Sequence, residues 1–164
     1  MVVELLSVGT ELLLGSIVNT NARFLAEKCA CLGLSMYSQT VVGDNGQRLK
    51  SAVETALSRS DMVILTGGLG PTEDDLTKET CAEVFGCALV EDGHTRKRIE
   101  EFFRNSIYKD IPKNNWKQAM VPQGALVLDN DNGTAPGLIM EKDEKRLILL
   151  PGPPGEMIPL FNGQ

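Results

Sequence analysis

The chain has 164 residues, 42% of them apolar, with 16 basic and 22 acidic side chains for a net charge of −6. That length suits one domain able to bury a core without disulfides or a structural metal. The basic residues are scattered, apart from Arg96-Lys97-Arg98 inside a helical pattern, which disfavours a nucleic-acid partner. Apolar runs fall far short of the ~20 residues of a membrane span, and Met1-Val2-Val3-Glu4 lacks a basic leader region, so a soluble cytoplasmic protein with no membrane partner is expected.

In chain order, Val2 to Val8 reads as an apolar strand broken only by Glu4 and Ser7, followed by a loop from Gly9 to Gly15. From Asn21, the residues Phe24, Leu25, Cys29 and Leu32 fall at helical spacing, with Asn19, Thr20 or Asn21 as the cap and Gly33 as the stop. Leu34 to Val42 is a second strand ending at Gly43-Asp44-Asn45-Gly46. Leu49, Val53, Ala56 and Leu57 mark a second amphipathic helix, and Asp61 to Thr66 a buried third strand. This β-α-β-α-β order with short turns specifies an α/β fold in three layers, a mostly parallel sheet covered on both faces.

A glycine-rich turn, Gly67-Gly68-Leu69-Gly70, then leads to a third helix from Leu76 to Phe85, stopped by Gly86. Ile99, Phe102, Phe103 and Ile107 mark a fourth helix, and the stretch from Pro112 to Pro122 a short inserted one. Ala125 to Leu128, Gly137 to Met140 and Arg146 to Leu150 are short strands, the last two joined by a hairpin turn over 141–145. Glu156 to Phe161 begins one more apolar helical pattern.

The glycine turn carries the chemistry. Gly67, Gly68 and Gly70 permit positive φ and close approach, and backbone N–H groups there can converge on an anion beside a helix N-terminus. Asp74 and Asp75 favour the helix dipole but would repel a bare phosphate, so a divalent cation between acid and phosphate is expected. A Walker loop is excluded, because Gly70 is followed by Pro71-Thr72 in place of Lys-Ser or Lys-Thr. The dinucleotide fingerprint fails at Glu73, where its third glycine would stand. The simpler reading of the segment is an ordinary βα turn with a capping acid.

In parallel α/β sheets ligands bind beyond the carboxyl ends of the strands. Those ends carry Gly9-Thr10-Glu11, Gly43-Asp44-Asn45, the glycine turn and Pro151-Gly152-Pro153-Pro154-Gly155-Glu156. Their convergence would bring Glu11, Asp44, Asp74, Asp75 and Glu156 to one crevice, with Thr10, Thr66, Thr72 and Thr77 as hydroxyl donors. Cys29, Cys31, Cys81 and Cys87 have no C-x-x-C spacing and read as reduced packing thiols, and His94 as a surface residue. Asn132-Gly133-Thr134 matches a glycosylation sequon that has no meaning without secretion.

Taken together, the segments Gly9 to Gly15, Asn19 to Ala22, Val42 to Asn45, Thr66 to Thr77, Asn115 to Ala119, Gly133 to Gly137 and Leu150 to Met157 resemble the N-terminal domain of the CinA competence and damage-inducible proteins. That domain has the molybdopterin-binding fold of the MoaB, MogA and MoeA type. The resemblance implies hydrolysis of ADP-ribose to AMP and ribose 5-phosphate with a divalent metal, Mg²⁺ or Co²⁺. It matches Asp75 and Asp44 to functional acids, as metal ligands or base, with Asp74, Glu11 and Glu156 as further ligands. It places Thr10, Asn21, Gly67, Gly68, Leu69, Gly70, Thr77, Gly133, Thr134, Pro136, Gly137 and Gly152 at phosphate or substrate. The alternatives are a molybdopterin-related adenylyl transferase or cofactor-binding domain, and a non-catalytic nucleotide-sensing module. Relatives of this fold form dimers or trimers, which makes a homo-oligomer the expectation. Full-length CinA proteins usually add a C-terminal deamidase-type domain, which the resemblance does not find here, so the chain reads as a fragment without deamidase activity.

Overall fold

The computed structural model describes residues 1–106 and 110–163. Its elements run β1 (Val2–Val8), α1 (Thr10–Leu13), α2 (Thr20–Cys31), β2 (Ser35–Val42), α3 (Gly46–Arg59), β3 (Met62–Thr66), α4 (Thr77–Phe85), β4 (Leu89–Glu91), α5 (Gly93–Asn105), a 3₁₀ helix (Lys113–Ala119), β5 (Met120–Pro122), β6 (Leu126–Leu128), β7 (Gly137–Lys142), β8 (Lys145–Leu150) and α6 (Pro154–Gly163). Six strands form one sheet in the order β2-β1-β3-β8-β7-β6. The first four are parallel, while β7 and β6 each pair antiparallel to their neighbour, so the sheet is mostly parallel as expected.

Alternation along the central strands divides the core into two layers, because successive side chains leave a strand on opposite faces. Val63, Leu65, Leu147 and Leu149 pack with Leu49 and Val53 of α3 and with Cys81 and Phe85 of α4. Ile64 and Leu150 pack on the other face with Leu25 and Cys29 of α2 and with Met157 and Leu160 of α6. Glu4 shares the first face and is 3% exposed. It is satisfied by a bidentate pairing with Arg59 at the end of α3, at 2.9 and 2.7 Å, the geometry that lets a carboxylate sit in a sheet interior.

Helix boundaries follow local chemistry. Asn19 accepts from the Ala22 N–H and Asn45 from that of Arg48, capping α2 and α3, and Gly86 ends α4 at φ 66°, the left-handed stop that glycine supplies. Several details differ from the sequence reading. The loop after β1 contains the one-turn helix α1, and Leu32 lies past the end of α2, where it is 68% exposed. Strands β4 and β5 form a two-stranded antiparallel sheet of three residues each. Segments so short carry no readable periodicity, and β5 falls within the stretch assigned to the inserted helix. Ile107, assigned to the fourth helix, lies outside the described residues. Cys29 and Cys81 are buried, in keeping with packing thiols, whereas Cys31 is exposed and departs from that reading; burial raises the Cys29 and Cys81 thiols above their ordinary range. Among the described residues no helix is long and apolar enough to cross a membrane.

Candidate ligand-binding cleft

The carboxyl ends of β1, β2, β3 and β8 open on one cleft of about 650 Å³. The four loops named from the sequence line it together, and Glu11, Asp44, Asp74, Asp75 and Glu156 all contribute to its wall. Gly67 has φ 94° and Gly68 φ 65°, so the chain reverses immediately after β3. The Gly67 N–H is occupied by the Leu150 carbonyl at 3.1 Å. The next three N–H groups, of Gly68, Leu69 and Gly70, donate to no acceptor among the described residues. Three successive donors without an acceptor among the described residues, at positions lining the cleft, are suited to serve as an anion cradle, since buried or half-buried N–H groups otherwise find partners.

The cradle is held from below. Thr77, fully buried, donates its hydroxyl to the Gly67 carbonyl at 2.8 Å, and its N–H donates to the Gly68 carbonyl at 3.1 Å. Thr77 therefore shapes the turn and does not line the cleft, which corrects its assignment as a substrate ligand. Gln118 donates to the Leu69 carbonyl at 3.1 Å. Lys117 donates to the carbonyls of Thr72, at 2.8 Å, and of Asp75, and pairs with Glu79 at 3.7 Å. Lys78 in turn donates to the Lys117 carbonyl at 2.6 Å, and burial pushes its ammonium down to about 8. The sequence offered the stretch from Asn115 to Ala119 only as a resemblance. Its two supporting side chains come from a segment more than 40 residues from the turn, a link without local periodicity.

The carboxylates are braced individually. Asp75 accepts from the N–H and hydroxyl of Thr72, at 3.0 and 2.5 Å. Asp44 accepts from the Thr10 N–H at 2.9 Å, while the Thr10 hydroxyl accepts from the Asp44 N–H at 3.1 Å. Glu156 accepts from the Asn130 amide at 2.7 Å. Among the described residues no three acid, histidine or cysteine side chains stand together as a metal-binding group. The five acids named as metal ligands therefore do not gather into one cluster: four loops spread them along the cleft wall, Asp74 and Asp75 coming from the same one. His94 pairs with Asp129 at 2.9 Å on the surface.

Asn21 reaches the cleft from the first turn of α2. Its amide donates to the Gly152 carbonyl at 2.7 Å, and its own carbonyl oxygen is buried with no partner among the described residues. Thr134 also lines the cleft, while Gly133 and Pro136 line a neighbouring cavity instead. Gly137 is buried in β7, where a methyl group would come within 3.0 Å of Leu160, so it is a packing glycine and not a substrate contact.

Burial raises the Glu156 carboxyl above 4.5, with the Asn130 hydrogen bond opposing. A carboxyl whose folded pKa is raised holds its proton more tightly in the folded state, so its stabilisation is full at low pH and is lost as pH rises through the raised value. The melting temperature of the unaltered protein relative to Glu156→Gln is accordingly expected to fall as pH rises from 4.5. A difference that stays flat across a pH series of thermal melts would contradict this.

Fold and cleft together define a domain of the molybdopterin-binding class: the family described as "probable molybdopterin binding domain" matches residues 4–164. MoaB from Thermus thermophilus, named as a molybdopterin biosynthesis enzyme, shares the fold at 17% identity and a TM-score of 0.62 over 98% of this chain and 86% of its own. CinA from Thermoplasma acidophilum, whose function is described as unknown, is 35% identical with a TM-score of 0.91, covering 99% of this chain and 94% of its own. A Caldicellulosiruptor bescii protein bearing the competence-damage inducible name is 60% identical over 98% of this chain, and a CinA-like protein of Dictyoglomus turgidum 58% identical over 96%. Within the molybdopterin-binding class, the chain belongs to the CinA family. It spans 39% of the length of the Caldicellulosiruptor relative and 38% of the Dictyoglomus one.

Proposed function

We propose that this cleft binds the phosphate of a nucleotide- or pterin-type small molecule on the Gly68–Gly70 cradle. The three unpaired N–H groups support this reading most directly, and the family's molybdopterin-binding description agrees with it. The cleft's volume fits a ligand of mononucleotide size or somewhat larger. A divalent cation suits this wall only when phosphate oxygens complete its shell. Magnesium is commonly held that way, by one or two carboxylates plus substrate, and Asp44 and Asp75 are the acids nearest that role. Such an ion would neutralise the phosphate charge beside these carboxylates.

A second reading, hydrolysis of the ADP-ribose diphosphate, is favoured by one arrangement: Asp44 and Asp75 line the same cleft as the cradle, from different loops. Bound phosphate would be held by the backbone donors while a carboxylate orients or deprotonates water. The two readings separate in one experiment. Calorimetric titration with AMP and ADP, with and without Mg²⁺ or Co²⁺, tests binding, and chromatography of ADP-ribose incubated with protein and metal tests hydrolysis. AMP and ribose 5-phosphate appearing with the unaltered protein and not with Asp75→Asn supports the diphosphatase. Binding with intact ADP-ribose leaves a binding domain, and absence of any nucleotide binding overturns the phosphate reading.

A further inference from the structure

Asn45, Asn132 and Asn162 each precede a glycine. An Asn-Gly pair can rearrange without an enzyme, because the glycine residue has no Cβ to hinder its nitrogen from closing a ring onto the asparagine side-chain carbon. The fold treats the three pairs differently. Asn45 caps α3, its side-chain oxygen accepting from the Arg48 N–H at 3.0 Å, so turning that side chain back onto Gly46 would sacrifice the cap. Asn162 and Gly163 lie within α6, and ring closure needs a ψ well away from the helical value. Asn132 has neither restraint. It is exposed in the turn between β6 and β7, and the Gly133 N–H, the nucleophile of such a closure, donates to no acceptor among the described residues. The Asn132 amide donates to the Gly155 carbonyl at 3.0 Å, a bond exposed to solvent. That bond holds only the amide nitrogen, the group that would leave.

The same bond fastens the turn to the first turn of α6. Behind it, the Asn130 side chain accepts from the Asn132 N–H at 3.0 Å and donates to the Ala135 carbonyl at 2.9 Å and to Glu156 at 2.7 Å. Thr134 and Glu156 line the cleft, so the turn is part of the cleft wall. Gly133 packs so closely that a methyl group there would fall 2.0 Å from a Glu156 oxygen. A carboxylate at position 132 would face the Gly155 carbonyl with an acceptor in place of a donor, beside the acids Asp131 and Glu156.

We propose that Asn132-Gly133 is a self-modification site, at which water converts the asparagine to aspartate or isoaspartate and unlatches the turn from α6. The Gly133 nitrogen gives up its proton and bonds to the Asn132 side-chain carbon; the C–N bond of the amide breaks, and ammonia leaves carrying that proton. Water then opens the cyclic imide. Opening at the side-chain end of the ring's nitrogen leaves aspartate, and opening at the backbone carbonyl leaves isoaspartate, which lengthens the main chain by one carbon. Nothing is oxidised or reduced, and water is the sole co-reactant.

The test incubates the folded protein in mildly alkaline buffer and maps its peptides by mass spectrometry over time, with a second sample held unfolded in urea. In the folded sample Asn132 is expected to convert at least about tenfold faster than Asn45 or Asn162, as a mixture of aspartate and isoaspartate. In urea the three should convert at similar rates, which assigns the selection to the fold. Asn132 staying intact in the folded sample while it converts in urea, or all three converting alike in both, overturns the proposal. The unlatching has its own readout: the aged protein and Asn132→Asp should both melt below the unaltered protein, and amides in the first turns of α6 should exchange faster. Melting and exchange unchanged in both would overturn that part, and Asn132→Gln, which keeps an amide but lengthens the ring to be closed, should resist conversion.

Discussion

Gly67→Ala is expected to abolish nucleotide binding and to lower stability by about 2–4 kcal/mol. The residue sits at φ 94°, which costs a side-chain-bearing residue of order 1 kcal/mol or more, and an added methyl group would lie 2.2 Å from the Val8 carbonyl oxygen. That oxygen belongs to the backbone of β1, which is paired on both edges with β2 and β3, so it cannot retreat without disturbing the sheet. The turn must move instead, and the cradle moves with it. Two neighbouring glycines give the contrast. At Gly68 the methyl would meet the Thr77 hydroxyl at 2.2 Å, a side chain that can rotate at the cost of its bond to Gly67, so a smaller loss is expected. At Gly152 the nearest atom is 3.4 Å away, an ordinary contact, and alanine there should leave stability within about 0.5 kcal/mol of the unaltered protein. Urea unfolding midpoints and AMP titrations on the three variants would check the ranking. A Gly67→Ala protein as stable and as competent as its parent would mean the turn is not built as described.

Lys117→Met should weaken ligand binding by about 10- to 100-fold while lowering stability by only about 1–2 kcal/mol. The methionine keeps the apolar stem but loses the donors to the Thr72 and Asp75 carbonyls and the pairing with Glu79. These contacts set where Asp75 and the end of the glycine turn stand, so their loss reaches the ligand through the loop. Removing the cation also relieves Lys78, whose ammonium is disfavoured first by burial and also by the charge of Lys117; this offsets part of the cost to folding. Calorimetry paired with thermal melts distinguishes the two effects. A variant that melts much lower and binds normally would make Lys117 a packing residue and no more.

Much of the cleft was legible in one dimension because its parts are loops at the ends of strands. A run such as Met62 to Leu65 declares a buried parallel strand, the glycines declare the reversal after it, and the rule that ligands sit beyond strand carboxyl ends then gathers Gly9, Glu11, Asp44, Gly67 to Gly70 and Gly152 at one place. The assignments that failed were those where residue type is ambiguous between roles. Thr77 and Gly137 carry letters suited to a ligand site, yet Thr77 serves the turn from beneath and Gly137 makes room for Leu160. A carboxylate in a loop looks the same whether it holds a metal, caps an N–H as Asp75 does, or leans on an asparagine as Glu156 does.

The sequence by itself determined the layered α/β architecture, the placement of the glycine turn and the family, because apolar periodicity, turn residues and motif spacing are local properties of the chain. Only the tertiary structure decided which N–H groups are free, how the five acids are dispersed, and that Lys117 and Gln118 support the turn. It also fastened the turn carrying Asn132-Gly133 to the start of α6. Each of these depends on distances between segments tens of residues apart, which are set by how helices and loops pack on the sheet and leave no mark in local pattern.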